Sequence, residues 1–285
     1  MTPWLADDRR SVSDRKYGRW RGLPTYYRAQ LEMSLGIYLA YRAQVVGWLA
    51  GSLIQPLVLI PAWQTTTGDG QIGGYSQGLF VTYFVVETLV TFLTLNFVVI
   101  EFGARVQHGY FSQVLLRPVH PIHHDICTVV AYRIVGAVVM VPSLLLLTVV
   151  FGADTSALSM SGLVAFLPAV LLASLMRFVL EWMVGCLAFW FVRTSALNAA
   201  YYSMMLLLSG SLMPLSVLPQ WAQSGAAATP FPWMVAFPVE VAMGTRTGAQ
   251  VWMGLGWQVV WTCVIVLLLP LVWKHAARRH SAVGG

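Results

Sequence analysis

Few residues in this sequence are of types and spacings that could do chemistry. His120, His123, His124 and Asp125 crowd the start of one apolar run. Imidazole and carboxylate together suit zinc or a similar metal. Pro121 interrupts any regular spacing among them, however, and polar side chains are common where a span leaves the membrane. The cluster is therefore read as a solvated interfacial loop, and no metal site is expected. ATP hydrolysis of the P-loop kind needs the pattern G-x-x-x-x-G-K-[ST]. The only lysines, Lys16 and Lys274, follow Arg15 and Trp273, so neither fits. No Ser-His-Asp or Cys-His arrangement is spaced for nucleophilic attack. Cys127, Cys186 and Cys263 all lie in apolar runs and suggest neither a disulfide framework nor a metal site. No catalytic residue and no cofactor is expected in this chain.

Charges inside apolar runs carry more information, because each costs roughly 2.5–3.5 kcal/mol at the centre of a bilayer. Glu87, Arg133, Arg177 and Glu181 are such charges. Arg177 and Glu181 stand four residues apart and can pair along one helix face. That pair is either structural or part of a substrate or proton site. Tyr83, Glu87, Thr91 and Thr94 share one helical arc, and Asn198, Tyr202, Met205 and Ser209 share another. Polar stripes of this kind face protein or a water-filled path, not lipid. Bundle packing and pathway lining are the two readings.

The elements that position these residues are membrane spans. Hydrophobic residues make up 58% of the 285 positions and charged residues 10%, with a mean hydropathy of +0.69. That is too little charge to cover a soluble domain. About 20 apolar residues cross about 30 Å of hydrocarbon. Six runs qualify: Ala43–Trp63, Gly78–Ile100, Ile126–Phe151, Gly162–Val192, Ala196–Leu215 and Ala249–Trp273. The fourth is too long for an upright helix and is expected to be tilted, broken or extended. Gly47 and Gly51 form a weak small-xxx-small pair in the first.

Charge sets the orientation. Eight basic residues from Arg9 to Arg42 precede the first span. Arg105 and Arg117 follow the second, Arg193 the fourth, and Lys274, Arg278 and Arg279 the sixth. The opposite loops hold Asp69, Asp154 and Glu240 against Arg246 alone. The positive-inside rule then makes both ends cytoplasmic. The net charge of +6 reports topology and attraction to anionic membrane lipid, and no nucleic-acid partner is expected. Positions 7–22 are polar and basic, which does not read as a cleavable signal peptide.

The fold expected is an all-α membrane protein with six transmembrane helices. Residues 1–24 form a cytoplasmic basic arm, and residues 25–42 an amphipathic helix on the inner membrane surface. That helix puts Tyr27, Leu31, Leu35, Tyr38 and Leu39 on one face, with Gln30 away from its centre. An extension of the first span is the alternative. Residues 43–285 form the transmembrane domain, with a cytoplasmic loop at 101–125, an outer segment at 213–248 and a short tail at 274–285. The outer segment is apolar but broken by Pro214, Pro219, Pro230, Pro232 and Pro238, so short re-entrant helices are expected.

Several segments together resemble the type-2 ATP-binding-cassette exporter permeases, in the bacterial branch with a separate ATPase and often a second permease. They are YRAQVVGWLAGSLIQPLVLIPAW with GGYSQGLFVTYF, then HGYFSQVLLRPVHPI, LLLSGSLMPLSVLPQW and TPFPWMVAFPVEVAMG. The resemblance runs from about Tyr26 to the end, and the order and spacing of the segments are more specific than any one of them. It implies a permease in the bacterial inner membrane, paired with an identical or homologous second permease above two cytoplasmic ATPase subunits. ATP and magnesium would bind those partner subunits. It implies a coupling helix near Val106–Leu116, with Arg105, Gln107, Tyr110, Phe111, Val114, Leu115 and Arg117 as ATPase contacts. It also implies that spans two and five flank a path for a hydrophobic or amphipathic substrate such as a drug, lipid or antibiotic. A secondary transporter or channel using Glu87 or Glu181, and a membrane scaffold or enzyme subunit, are the alternatives.

Overall fold

The computed structural model describes residues 23–111, 119–191 and 194–283, and they form helices with short connections. All but the last two residues of the basic arm lie outside these limits, as does Arg193. The elements are α1 (Leu23–Ala40), α2 (Arg42–Thr67), α3 (Gln77–Thr94), α4 (Val98–Gln107), α5 (Pro121–Val150), α6 (Met160–Cys186), α7 (Thr194–Leu208), α8 (Gln220–Ala227), α9 (Phe231–Met234), α10 (Ala236–Ala242) and α11 (Ala249–Val283). Among the described residues the one β-type pairing is an isolated bridge between Ile72 and Tyr75. Five stretches are long and apolar enough to cross a membrane: Arg42–Thr67, Gln77–Gln107, Pro121–Val150, Met160–Phe189 and Ala249–Ala276. The chain is a multi-pass membrane protein.

Helix α6 is the hub. It packs against α3, α4, α9, α10 and α11, and Trp182, Met176 and Glu181 on it are fully buried. The outward faces of α5 and α11 carry Val138, Leu145, Val149, Trp252 and Leu267, all exposed. Apolar surface on that scale belongs against lipid, not water. Both ends of the described chain reach the same end of the bundle. Tyr27 packs edge-on against His123, and Trp273 packs against His120.

Three of the six expected spans depart from uninterrupted helices. The second is broken between Thr94 and Val98, where Leu95 takes an extended conformation at φ −58° and ψ 137°. The fourth tightens after Cys186 into a 3-10 turn, Leu187–Phe189. Even so, α6 alone runs 27 residues, about 40 Å, longer than an upright crossing needs. The run Ala196–Leu215, expected as the fifth, is not among the five stretches long enough to cross, because only α7 is helical there, for 15 residues or about 22 Å. Gly210, at φ +93°, ends it, because a left-handed residue cannot continue a right-handed helix. Beyond Leu208 the chain continues as bends through Met213.

Helix α1 is separate from α2, with the break at Tyr41. Its Tyr27 and Tyr38 meet His123 and Tyr132, so it runs beside the first turns of α5 in the same direction. Four of the five expected face residues, Tyr27, Leu31, Leu35 and Tyr38, are half-buried, but Gln30 and Ser34 are buried at the centre of that face and Leu39 is exposed. Gln30 donates to the Ser34 hydroxyl at 3.4 Å, so the two satisfy each other against α5. A face chosen on apolar content alone misses such a pair.

Residues 213–248 fold into a 3-10 turn at Leu215–Val217 followed by α8, α9 and α10. Met234, Val235, Val239 and Val241 are fully buried, so α9 and α10 enter the bundle against α6. Gln258 of α11 bonds the Trp233 carbonyl at 2.7 Å and the Ala169 carbonyl at 3.0 Å, tying three elements together. The fit between α10 and α11 depends on Gly254. A Cβ there would lie 2.0 Å from the Phe237 ring. Gly254→Ala is therefore expected to destabilise the chain by about 1–3 kcal/mol through overpacking. Gly256→Ala, which meets nothing within 4 Å, should leave the thermal unfolding midpoint in detergent unchanged. Equal midpoints for both variants would contradict this packing.

Candidate functional site

Backbone that leaves the helical pattern at membrane depth must find other hydrogen-bond partners. At the break in the second span, the Thr94 and Asn96 carbonyls find side-chain donors from Asn96 itself and from α7. Side chains of α5 and α6 hold the Asn96 and Thr94 side chains. Asn96 Nδ2 donates to the Thr94 carbonyl at 2.9 Å. Asn96 Oδ1 accepts from Arg133 Nη2 of α5 at 3.1 Å, and the Asn96 carbonyl accepts from the Tyr202 hydroxyl of α7 at 3.1 Å. Arg133 Nη1 also donates to Ser174 of α6 at 2.8 Å. Thr94 Oγ1 accepts from Arg177 Nη1 at 3.1 Å, and Arg177 Nε donates to Glu181 Oε1 at 2.9 Å. The Tyr201 hydroxyl completes the cluster, donating to the same Glu181 oxygen at 3.2 Å.

A second cluster holds the end of α7. The carbonyls of Gly210, Ser211 and Leu212 accept from the Tyr83 hydroxyl, Gln55 Nε2 and Trp63 Nε1 at 2.7, 2.9 and 3.3 Å. Glu87 accepts from Thr91 at 2.9 Å and is also hydrogen-bonded to Ser211. Ser209 and Ser211 share a bond of 2.9 Å, and the Ser209 carbonyl accepts from Ala236 N at 3.0 Å.

The two sequence stripes therefore do face each other, inside one chain. Tyr83, Glu87 and Ser209 meet at the break that ends α7; Thr94 and Tyr202 meet, through Asn96, at the break that ends α3. Thr91 serves Glu87, and Met205 is buried in the core. Asn198 does not join either cluster, and its buried Oδ1 has no partner among the described residues. Asn96, Tyr201, Ser174 and Ser211 belong to the network without having been singled out in the sequence. Asn96 is a polar residue in an apolar run, the one signal that could have marked it.

At the end of the bundle that holds Tyr27 and Trp273, a third arrangement anchors the 101–125 loop. Arg105 Nη2 pairs with Asp125 Oδ1 at 2.8 Å, and Trp182 Nε1 donates to Asp125 Oδ2 at 3.0 Å. Asp125 itself is buried. Gln107 reaches Thr194 of α7 at 2.9 Å. Tyr110 is 58% exposed, whereas Phe111 is fully buried. Phe111 packs on Phe102, Phe189 and Trp273 at centroid distances of 4.9, 5.0 and 6.0 Å. The expected outward role of Phe111 is thus corrected: its ring joins the chain's own aromatic cluster instead of facing a partner. Val114, Leu115 and Arg117 lie outside the described residues.

The histidine cluster is divided among separate partners. His123 Nδ1 bonds the Tyr27 hydroxyl at 2.6 Å, and His124 Nδ1 contacts Asp125 Oδ1 at 3.3 Å. His120 Nδ1 caps α5 by accepting from Ile122 N at 3.3 Å. Burial between Trp182 and Trp273, with His123 nearby, pushes the His120 imidazolium pKa down. The neutral ring is the form able to accept that bond. Among the described residues, no group of three or more His, Cys, Asp or Glu is arranged to hold a metal.

No curated protein matches the chain. A family model described as ABC-2 family transporter protein matches residues 48–284, from early in α2 to the end of α11. This interval includes both helix breaks, the loop anchor and the outer segment. The chain belongs to the ABC-2 family of transporter proteins.

Proposed function

We propose that this chain is the permease subunit of an ATP-driven exporter in a bacterial inner membrane, with the Arg105–Asp125 end cytoplasmic. The observation that carries the reading is the anchoring of the 101–125 loop. Through Arg105, Phe111, His120 and Asp125, its flanks are bonded or packed to α4, α5, α6 and α11 together. A partner pushing on this loop moves four helices at once. Excess basic charge at the same end supports its cytoplasmic placement.

The family works with ATPase subunits, and this chain has no P-loop lysine of its own. On this reading, two ATPase copies carry ATP and magnesium, and two permeases, identical or homologous, stand side by side. The polar stripes hold the two breaks from within. The open face of α7, with Ala196, Ala199, Ala200 and Ser203 exposed, lies toward the path of an amphipathic substrate. The coupling segment is the loop, with Tyr110 as its exposed aromatic anchor.

The test is reconstitution in proteoliposomes. The purified chain alone is expected to hydrolyse no ATP. Adding its ATPase should bring both hydrolysis and ATP-dependent export of an amphipathic dye. Undiminished export by a complex whose ATPase cannot hydrolyse nucleotide would overturn the proposal and favour a gradient-driven transporter.

A further inference from the structure

A second site lies at the opposite end of the bundle from the loop anchor, beside the break that ends α7, where Ala236 N bonds the Ser209 carbonyl. Residues of α8, α9 and α10 enclose a cavity of about 300 Å³, room for roughly ten water-sized groups. One wall is apolar, formed by Leu215, Pro232, Trp233 and Phe237. The other carries an ion pair, Arg246 Nε to Glu240 Oε2 at 2.8 Å. The pair leaves bonding capacity on both partners. Among the described residues, the second Glu240 carboxylate oxygen and the two terminal nitrogens of Arg246 have no protein hydrogen bond. Arg246 is 40% exposed at the mouth, while Glu240 is 14% exposed.

This arrangement selects for charge. A net anion drawn to Arg246 is repelled by Glu240, and a net cation meets the reverse. A ligand with an anionic and a cationic group a few ångströms apart satisfies both. The Trp233 indole N–H is directed to the Ala227 carbonyl at 3.4 Å, and its ring lines the cavity, the kind of surface that attracts a cationic group. The apolar wall also continues onto the lipid-facing surface. Trp233 stacks on Trp257 of α11 at 6.3 Å and 25°. Trp257 is half exposed, and Met253 one turn away is 61% exposed.

We propose that this cavity binds the headgroup of a zwitterionic phospholipid. The phosphate meets Arg246, the ammonium meets Glu240 and the Trp233 ring, and the acyl chains leave along Trp257. The cavity is sized for a headgroup and the first carbons, not a whole lipid. The proposal rests on the chain being embedded in a bilayer and is independent of whether an ATPase drives it.

The experiment is native mass spectrometry of the full chain released from nanodiscs with equal parts phosphatidylethanolamine and phosphatidylglycerol. The wild type is expected to retain phosphatidylethanolamine several-fold over phosphatidylglycerol. Glu240→Gln leaves Arg246 uncompensated and should reverse that preference toward the anionic lipid. Arg246→Gln should abolish the preference without reversing it. A purely structural ion pair would not produce the reversal. Each variant's unfolding midpoint is measured in parallel, and if Glu240→Gln does not fold, the more exposed Arg246→Gln decides the matter. Equal retention of both lipids by the wild type, or the same preference in the wild type and every folded variant, would overturn the proposal.

Discussion

Glu181→Gln is expected to lower the stability of this chain by about 3–5 kcal/mol, the usual cost of removing one member of a buried ion pair. Glu181 is fully buried and its Oε1 accepts from both Arg177 and Tyr201. Without its charge, Arg177 keeps only the neutral Thr94 hydroxyl as a close partner. Arg133 lies near enough to interact with the same centre, so two guanidinium groups would then share a dry interior with one fewer counter-charge. Replacing both partners, Arg177→Met with Glu181→Gln, should recover part of the loss, because no uncompensated charge is left behind. Thermal unfolding in detergent and the fraction of monodisperse protein measure both effects. Normal stability with selectively lost transport in Glu181→Gln would instead assign Glu181 to a substrate or proton site.

That pair was readable in the sequence because its geometry is local: residues four apart on a helix must be neighbours. The apolar runs and the proline-broken outer segment were readable for the same reason. The break at Leu95–Phe97 was not, since no proline or glycine stands between Thr94 and Val98. It is held open by Arg133 and Tyr202, which lie 37 and 106 residues from Asn96 in the chain. Tertiary donors, not local propensity, determine where that helix stops. The early end of α7 is a similar case. A lone glycine in an apolar run such as Leu206–Leu212 is compatible with a continuing helix. Tyr83, Gln55 and Trp63, from two other helices, make the bent, non-helical backbone from Gly210 onward acceptable in a membrane.

Phe111 and Tyr110 are adjacent, and their substitution is expected to separate the two functions of the loop. Both read as partner-facing from sequence, because a short aromatic segment between spans has no evident core of its own. The fold supplies one to Phe111 alone, through Phe102, Phe189 and Trp273 from three different elements. Phe111→Ala should therefore cost about 3–5 kcal/mol as a core truncation. Phe111→Leu, which keeps most of the buried volume, should recover much of that stability. Tyr110→Ala removes an exposed ring and should leave the unfolding midpoint unchanged. If the loop seats in an ATPase groove, the same variant should sharply reduce ATPase co-purification, since aromatic anchors dominate such contacts. Unfolding midpoints and pull-down yields, measured on the same preparations, distinguish the two residues. A wild-type midpoint for Phe111→Ala would show that the Phe102, Phe189 and Trp273 cluster does not hold the loop. An unchanged complex and unchanged coupled hydrolysis in Tyr110→Ala would exclude Tyr110 from the docking surface. The proposed route then runs from the groove through Tyr110, across the Phe111 cluster to Trp273 and Trp182, and through Asp125 to Arg105. It ends at α4, directly beneath the break that Asn96 and Arg133 hold.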